Sequence, residues 1–318
     1  MKKEGPSSKL TVKRISNSPY FANNFYQLEK QTIQNLTGAE MLPENSNELA
    51  DILITNSNTD IQSISESQLK FCKLLIHPNS GYDNFSSDFV TRAQFPIVLG
   101  NPIRSHAVTN FILSALFAHY SPIPSQMSWD AGRKWPRKLL SELNILILGY
   151  GHIGKLISTS LTPLVSKISI YDPHAGFPSL DLDNVDVLIP VCSLNKSTKS
   201  IIDEKMFLKL NEDFLLINAS RGSLVNTHDL IKVLSSKPSA FAVLDVFEKE
   251  PADFGNFKSL KNISLSSHIA GVYQNIDLTT ANFEARAISD FVNYDLAEFE
   301  RTYKNLLLKN RLKNLELI

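Results

Sequence analysis

The run NILILGYGHIGKL, residues 144–156, places Gly149-x-Gly151-x-x-Gly154 directly behind an apolar segment and at the opening of a helical pattern. That arrangement leaves few folds open. The segment before the glycines shows almost no polar side to water, so it predicts a strand buried on both faces, as in a parallel sheet. Three glycines at this spacing, with a helix behind them, predict a turn through which backbone N–H groups approach a pyrophosphate. Gly149 permits the tight turn, Gly151 the close approach, and Gly154 the packing of helix on sheet. Asp172 closes the next apolar run, KISIYD (167–172), at the distance expected of an acid that meets the adenosine ribose hydroxyls. A carboxylate there repels a 2′-phosphate, so the expected cofactor is NAD rather than NADP.

The same alternation of short β-rich runs and helical patterns continues along nearly the whole chain, which is the mark of βαβ units. A first set comprises residues 11–16, 50–55, 70–77 and 95–100, followed by a helical segment at 107–120. Residues 121–141 hold Pro122, Pro124 and Pro136 and a Trp-Asp-Ala-Gly turn, and read as an exposed connection between domains. A second set comprises 144–149, 167–172, 185–191, 214–220, 240–246 and 262–267, and beyond 275 the chain reads as helix with no further strand. The length of 318 residues exceeds what one core usually covers, so two domains are expected.

Charge and cysteine content narrow the function. Lysine plus arginine equals aspartate plus glutamate, 32 each, so no global field draws the chain to nucleic acid or to an acidic membrane surface. The start, MKKEGPSSKL, has no apolar run behind it, and no stretch approaches the roughly 18 apolar residues of a membrane span. Cys72 and Cys192 suggest neither a disulfide framework nor a metal site, and a reducing cytoplasm fits them best.

In open α/β sheets ligands bind beyond the carboxyl ends of strands. Three chemically able residues fall there in the second set: Arg221 in INASRGSLVN, Glu250 in LDVFEKEPAD and His268 in SLSSHIAGVY. A guanidinium pairs bidentately with a carboxylate, so Arg221 suits an anionic substrate. His268 can carry the proton that accompanies a hydride when carbonyl and alcohol interconvert, and Glu250 can stabilise its imidazolium. Each has a plainer reading as a turn arginine, a solvated glutamate or a structural histidine.

With these motifs in hand, the chain resembles the D-isomer-specific 2-hydroxyacid dehydrogenases. GYGHIG, YDP, NASRGSLVN, LDVFEKEP and SHIAG follow one another in that family's order and spacing over about 140–275. Farther upstream, HPNSGYDNF (77–85) resembles the family's substrate-carboxylate loop, and NPIRSHAVTN (101–110) the segment that re-enters the cofactor domain. The resemblance implies an α/β fold of two doubly wound parallel-sheet domains. One is a Rossmann-type NAD-binding domain at 105–287, the other a flavodoxin-like substrate domain formed by 1–104 and 288–318, with a cleft between them.

It further implies a homodimer, a small 2-oxo or 2-hydroxy acid as substrate, Arg221 as substrate anchor, and His268 with Glu250 as acid/base. Backbone amides of Asn79, Ser80 and Gly81 would receive the substrate carboxylate. Additional cofactor contacts are implied for His152, Ile153, Ser193, Thr198, Ala219, Asp245 and Gly271, besides Arg221 and His268. The chain departs from the family in having Asn110 for the common glutamate and Ser266-Ser267 for Thr-Pro. Arg104 reads as a solvated loop residue, with contact to a second anionic group as its alternative. The competing functional reading is a non-catalytic, NAD-sensing or partner-binding protein on the same fold, resembling a corepressor.

Overall fold

The structure, a computed structural model, describes residues 9–43, 46–125, 127–135 and 137–318. Residues 1–8 of the lysine-containing start lie outside these residues. The chain divides into two compact units: residues 1–104 with 273–318, and residues 105–272.

Unit 1 runs β1 (Thr11–Arg14), α1 (Phe25–Thr37), β2 (Glu40–Met41), β3 (Ile52–Ile54), α2 (Glu66–Phe71), β4 (Leu74–His77), α3 (Ser87–Arg92) and β5 (Ile97–Leu99). All five strands pair in parallel in the order β2-β1-β3-β4-β5, the flavodoxin-like order. Helix α4 (Asn101–Tyr120) then leads into unit 2. It begins six residues before the expected start at 107, so Arg104 lies on its first turn and not in a loop.

Unit 2 follows as β6 (Asn144–Leu148), α5 (His152–Leu161), β7 (Lys167–Tyr171), β8 (Val187–Pro190), α6 (Glu204–Phe207), β9 (Leu215–Asn218), α7 (Thr227–Ser236), β10 (Phe241–Leu244) and β11 (Ile263–Leu265). Its six strands are again all parallel, ordered β11-β10-β9-β8-β6-β7. The order reverses at β6, which therefore marks the switch point where such sheets hold their ligands.

The double burial expected for NILIL is met residue by residue. Ile145 and Ile147 pack with Ile112 and Leu116 of α4 and Ile157 of α5, whereas Leu146 and Leu148 pack with Phe207 of α6 and Leu230 of α7. Alternate residues of one strand thus feed two cores, one on each face of the sheet. Each fully buried aliphatic side chain contributes about 1.5–3 kcal/mol relative to exposure.

The chain returns to unit 1 through α8 (Ile276–Asn293), α9 (Leu296–Thr302) and a short antiparallel pair, β12 (Leu312–Lys313) and β13 (Glu316–Leu317). Two sequence expectations change here. The return begins at Tyr273 and not at 288, because α8 packs along α1 and is tied to β1 by a buried ion cluster. Arg14 donates from Nε to Glu29 at 2.9 Å and from Nη2 to Glu284 at 2.7 Å, all three side chains being buried. Burial pushes the Glu284 carboxyl up, against the pull of Arg14. Removing one member of such a cluster strands a buried charge, at about 3–5 kcal/mol.

The second change is the β12–β13 hairpin, where no strand was expected. Its turn residues Asn314 and Leu315 both have positive φ. Glycine is absent from that turn, so the usual sequence signal is missing. Likewise, residues 70 and 71 end α2 and do not begin a strand. Ser65 caps α2 by accepting from the Gln68 N–H.

Candidate active site

The glycine turn has the geometry its spacing predicts. Gly149 has φ +104°, and a Cβ there would lie 2.6 Å from the Cys192 nitrogen. A Cβ on Gly154 would meet the Gly149 carbonyl oxygen at 2.2 Å, so only glycine lets α5 sit this close to β6. Gly151 faces open space: nothing lies within 4 Å of a Cβ placed on it. It is also the N-cap of α5 and supplies no side-chain cap, so His152 and Ile153 form a helix start suited to a phosphate. Asp172 Oδ2 accepts from the Tyr150 N–H at 2.8 Å, while Oδ1 accepts from His174 and Ala175 N–H groups. The carboxylate thus caps its own turn and also braces the glycine turn. Burial, with a smaller push from Asp172, raises the Cys192 thiol to about 12, so the sulfur under this turn stays protonated at neutral pH.

Arg221, Glu250 and His268 follow the carboxyl ends of three adjacent strands, β9, β10 and β11. Their loops interlock. A Cβ on Gly222 would lie 1.9 Å from the Phe247 carbonyl carbon, so the glycine after Arg221 is there to let the two loops touch. The Phe247 N–H donates to Glu250 Oε1 at 3.0 Å, and Glu250 Oε2 accepts from His268 Nδ1 at 2.7 Å. His268 is about half exposed, at 51%, and its Nε2 has no partner among the described residues. A carboxylate on Nδ1 fixes the tautomer and leaves Nε2 to exchange a proton. The Arg221 guanidinium is partly buried and donates from Nη1 to the Ser220 carbonyl at 2.9 Å.

One element of this arrangement has no local signal in the sequence. His268 has φ +55°, an uncommon conformation for a residue with a side chain. It is held there by Asp245, which is fully buried. Asp245 accepts from Ser266 Oγ at 2.6 Å and from the Ile269 and Ala270 N–H groups at 2.8 Å each, and its carbonyl accepts from the His268 N–H. Ser266 therefore supplies a hydroxyl where the family has threonine. Expected as a cofactor contact, Asp245 spends both carboxylate oxygens on the histidine loop. Thr198 is similarly engaged: its hydroxyl donates to the Ser193 carbonyl and accepts from the Asn195 N–H, closing the 193–198 loop. Ala219 is buried and Gly271 partly so.

In unit 1, the Asn79–Gly81 loop is braced from several sides. The Gly100 N–H donates to the carbonyls of His77 (2.8 Å) and Asn79 (3.0 Å), His77 Nε2 lies 2.9 Å from the Gly81 carbonyl, and His77 Nδ1 lies 2.9 Å from Thr55 Oγ1. A Cβ on Gly100 would fall 2.4 Å from the Pro78 carbonyl carbon, so the two segments touch backbone to backbone. Among the described residues, the N–H groups of Asn79, Ser80 and Gly81 donate to no protein acceptor. His77, Thr55 and Gly100 give no motif in the sequence, and only their neighbours in space make them supports of this loop. No group of His, Cys, Asp and Glu among the described residues is arranged to hold a metal ion, and no helix among them is long and apolar enough to cross a membrane.

A parallel sheet that reverses order at a glycine turn, with an acid closing the next strand, defines the class of dinucleotide-binding doubly wound proteins. Over residues 115–270 the chain matches the family model described as D-isomer specific 2-hydroxyacid dehydrogenase, NAD binding domain, a family of nicotinamide-dependent oxidoreductases. It is 28% identical over 246 residues to a glyoxylate reductase of Pyrococcus furiosus, covering 70% of each chain. NAD+-bound 3-phosphoglycerate dehydrogenase of Entamoeba histolytica superposes with a TM-score of 0.69 at 17% identity, over 92% of this chain and 98% of that one. An NADPH-dependent glyoxylate/hydroxypyruvate reductase of Sinorhizobium meliloti, in complex with NADP and sulfate, superposes with a TM-score of 0.67 at 18% identity, over 92% and 96%.

Proposed function

We propose that the protein interconverts a 2-oxo acid and the matching D-2-hydroxy acid, with NAD(H) as hydride carrier. The observation that carries this reading is the His268–Glu250 pair, 2.7 Å apart and half exposed beyond the sheet end that holds Arg221. NADH supplies a hydride to C2 when bound. His268 Nε2 gives the proton to the oxygen, and Glu250 steadies the imidazolium before transfer. Arg221 anchors the carboxylate and meets the charge that develops on the carbonyl oxygen. In unit 1, the unspent amides of Asn79, Ser80 and Gly81 are suited to a carboxylate. Gly149, Gly151, His152, Ile153 and Gly154 would receive the pyrophosphate and Asp172 the ribose, with Ser193, Thr198, Ala219, Asp245 and Gly271 lining the remainder.

Asp172 supports NAD over NADP, because among the described residues no cation pairs with its carboxylate where a 2′-phosphate would lie. Like-charge contact and lost ribose bonds should cost about 2–4 kcal/mol, or about 30- to 1,000-fold in kcat/KM. Ile123, Met127 and Trp129 in the 121–141 connection are 88%, 101% and 85% exposed. Such apolar exposure supports a homodimer as the working form, and a cytoplasmic setting suits its two free thiols.

The test is NADH oxidation, followed at 340 nm, over glyoxylate, pyruvate, hydroxypyruvate, phosphohydroxypyruvate, oxaloacetate, 2-oxobutyrate, 2-oxoglutarate and branched 2-oxo acids. At least one should turn over, and Arg221→Lys, which keeps the charge but loses the fork, should cost that substrate about 1.5–3 kcal/mol in kcat/KM. Silence over the whole panel with NADH still bound would instead indicate a binding module.

A further inference from the structure

Arg104 is not the solvated loop residue that its sequence neighbourhood suggests. It lies on the first turn of α4, partly buried, and donates from Nη1 to the Pro78 carbonyl at 2.9 Å. Among the described residues no carboxylate is within ion-pair distance of it. Burial, the largest influence, pulls its pKa down, and Tyr273, Glu284 and Asp277 only partly oppose this from beyond contact. A guanidinium has five N–H donors, and here a single carbonyl uses one. Beside it stand the three unspent amides of Asn79–Gly81, on a loop fixed by Gly100 and His77. The Tyr273 hydroxyl, donating to the Ile103 carbonyl at 2.9 Å, steadies the same turn of α4.

A partly desolvated cation without a counter-ion is costly unless a ligand supplies one. One carboxylate is already provided for by the three unspent amides of the Asn79–Gly81 loop, which leaves the charge of Arg104 unmatched by a substrate with a single acidic group. We propose that Arg104 makes this enzyme selective for 2-oxo acids with a second anionic group, a carboxylate or a phosphate ester, which it binds beside the Asn79–Gly81 loop. The inference rests on the 2-oxo acid reading above. It adds the substrate class.

Calorimetric titration of the full-length protein, with saturating NAD+ and without cofactor, tests it free of turnover, since NAD+ and a 2-oxo acid are both oxidised. The probes are two matched pairs: 2-oxobutyrate against 2-oxoglutarate, and hydroxypyruvate against phosphohydroxypyruvate. In the native protein the doubly anionic member of at least one pair should bind about 10- to 100-fold tighter than its partner, the range for charge-assisted bonds. Whichever pair shows it identifies carboxylate or phosphate as the second group. Arg104→Gln keeps a donor for the Pro78 carbonyl and should cut the preference to below about threefold while the singly charged partner binds as before; Arg104→Lys should fall between.

No preference in the native protein, or a preference that survives Arg104→Gln, overturns the proposal. So does a variant in which both members of a pair weaken together, since Arg104 would then only brace the loop. NADH oxidation by the same acids is measured separately. Selective binding without turnover would refute the oxidoreductase reading and leave the selectivity of Arg104 standing.

Discussion

Changing Asp245 to asparagine keeps the shape of a buried side chain and alters what three donors meet. Oδ1 accepts from Ser266 Oγ at 2.6 Å and from the Ile269 N–H at 2.8 Å, and Oδ2 from the Ala270 N–H at 2.8 Å. An amide can offer its oxygen to the first two, which sets its own NH2 against the Ala270 N–H. The variant loses one charge-assisted bond outright and weakens two, and hydrogen bonds to charged groups are each worth about 1.5–3 kcal/mol. These bonds also hold His268 at φ +55°, a conformation that costs about 1–2 kcal/mol when nothing enforces it. Asp245→Asn should therefore destabilise the fold by about 2–4 kcal/mol, measured by urea denaturation. Part of the loss falls on the 266–270 loop, so kcat for 2-oxo acid reduction should drop about 10- to 100-fold through a misplaced imidazole. NADH affinity, read by fluorescence, separates a loop defect from a cofactor defect. Native stability with native kcat would refute the claim that Asp245 sets the histidine. A variant of native kcat that merely loses NADH affinity would leave Asp245 as a cofactor contact alone.

Gly222→Ala should cost at least about 1–3 kcal/mol, because its Cβ falls 1.9 Å from the Phe247 carbonyl carbon and one of the two loops must move; thermal melts check this. Glu250→Gln keeps a hydrogen bond on His268 Nδ1 but removes the carboxylate that orients the imidazole, so kcat for 2-oxo acid reduction should fall about 10- to 100-fold with NADH affinity unchanged. Native kcat would contradict the pairing. The thiols of Cys72 and Cys192 are both raised to about 12, chiefly by burial, so iodoacetamide at pH 8 should label them far more slowly in the native protein than in urea. Since the unfolded chain ionises these thiols first, they add stability that is lost as pH rises from the ordinary thiol range towards 12. Cys192→Ala should flatten that alkaline fall in denaturation free energy.

The sequence by itself determined the fold class and the place of the cofactor turn. NILIL, VDVLIPV and FLLINAS are apolar on both faces, which only a strand covered on two sides tolerates, and the Gly149–Gly154 spacing is a local requirement of one turn. That Arg221, Glu250 and His268 share one sheet edge was legible because each stands just past an apolar strand, and parallel strands deliver their carboxyl ends to one edge. The supports of that site were not legible. Asp245 sits inside the strand-like run AFAVLDV, and its partners at 266–270 belong to another strand's loop. Gly222 and Gly100 are single glycines, whose need to be glycine arises from Phe247 and Pro78 passing within van der Waals distance. Arg14 and Glu284 are 270 positions apart, yet their ion pair ties α8 to unit 1 and sets the boundary at 273. Local propensity and periodicity fix which elements form. Which side chains meet depends on packing between elements distant along the chain, and that information exists only once the tertiary structure has formed.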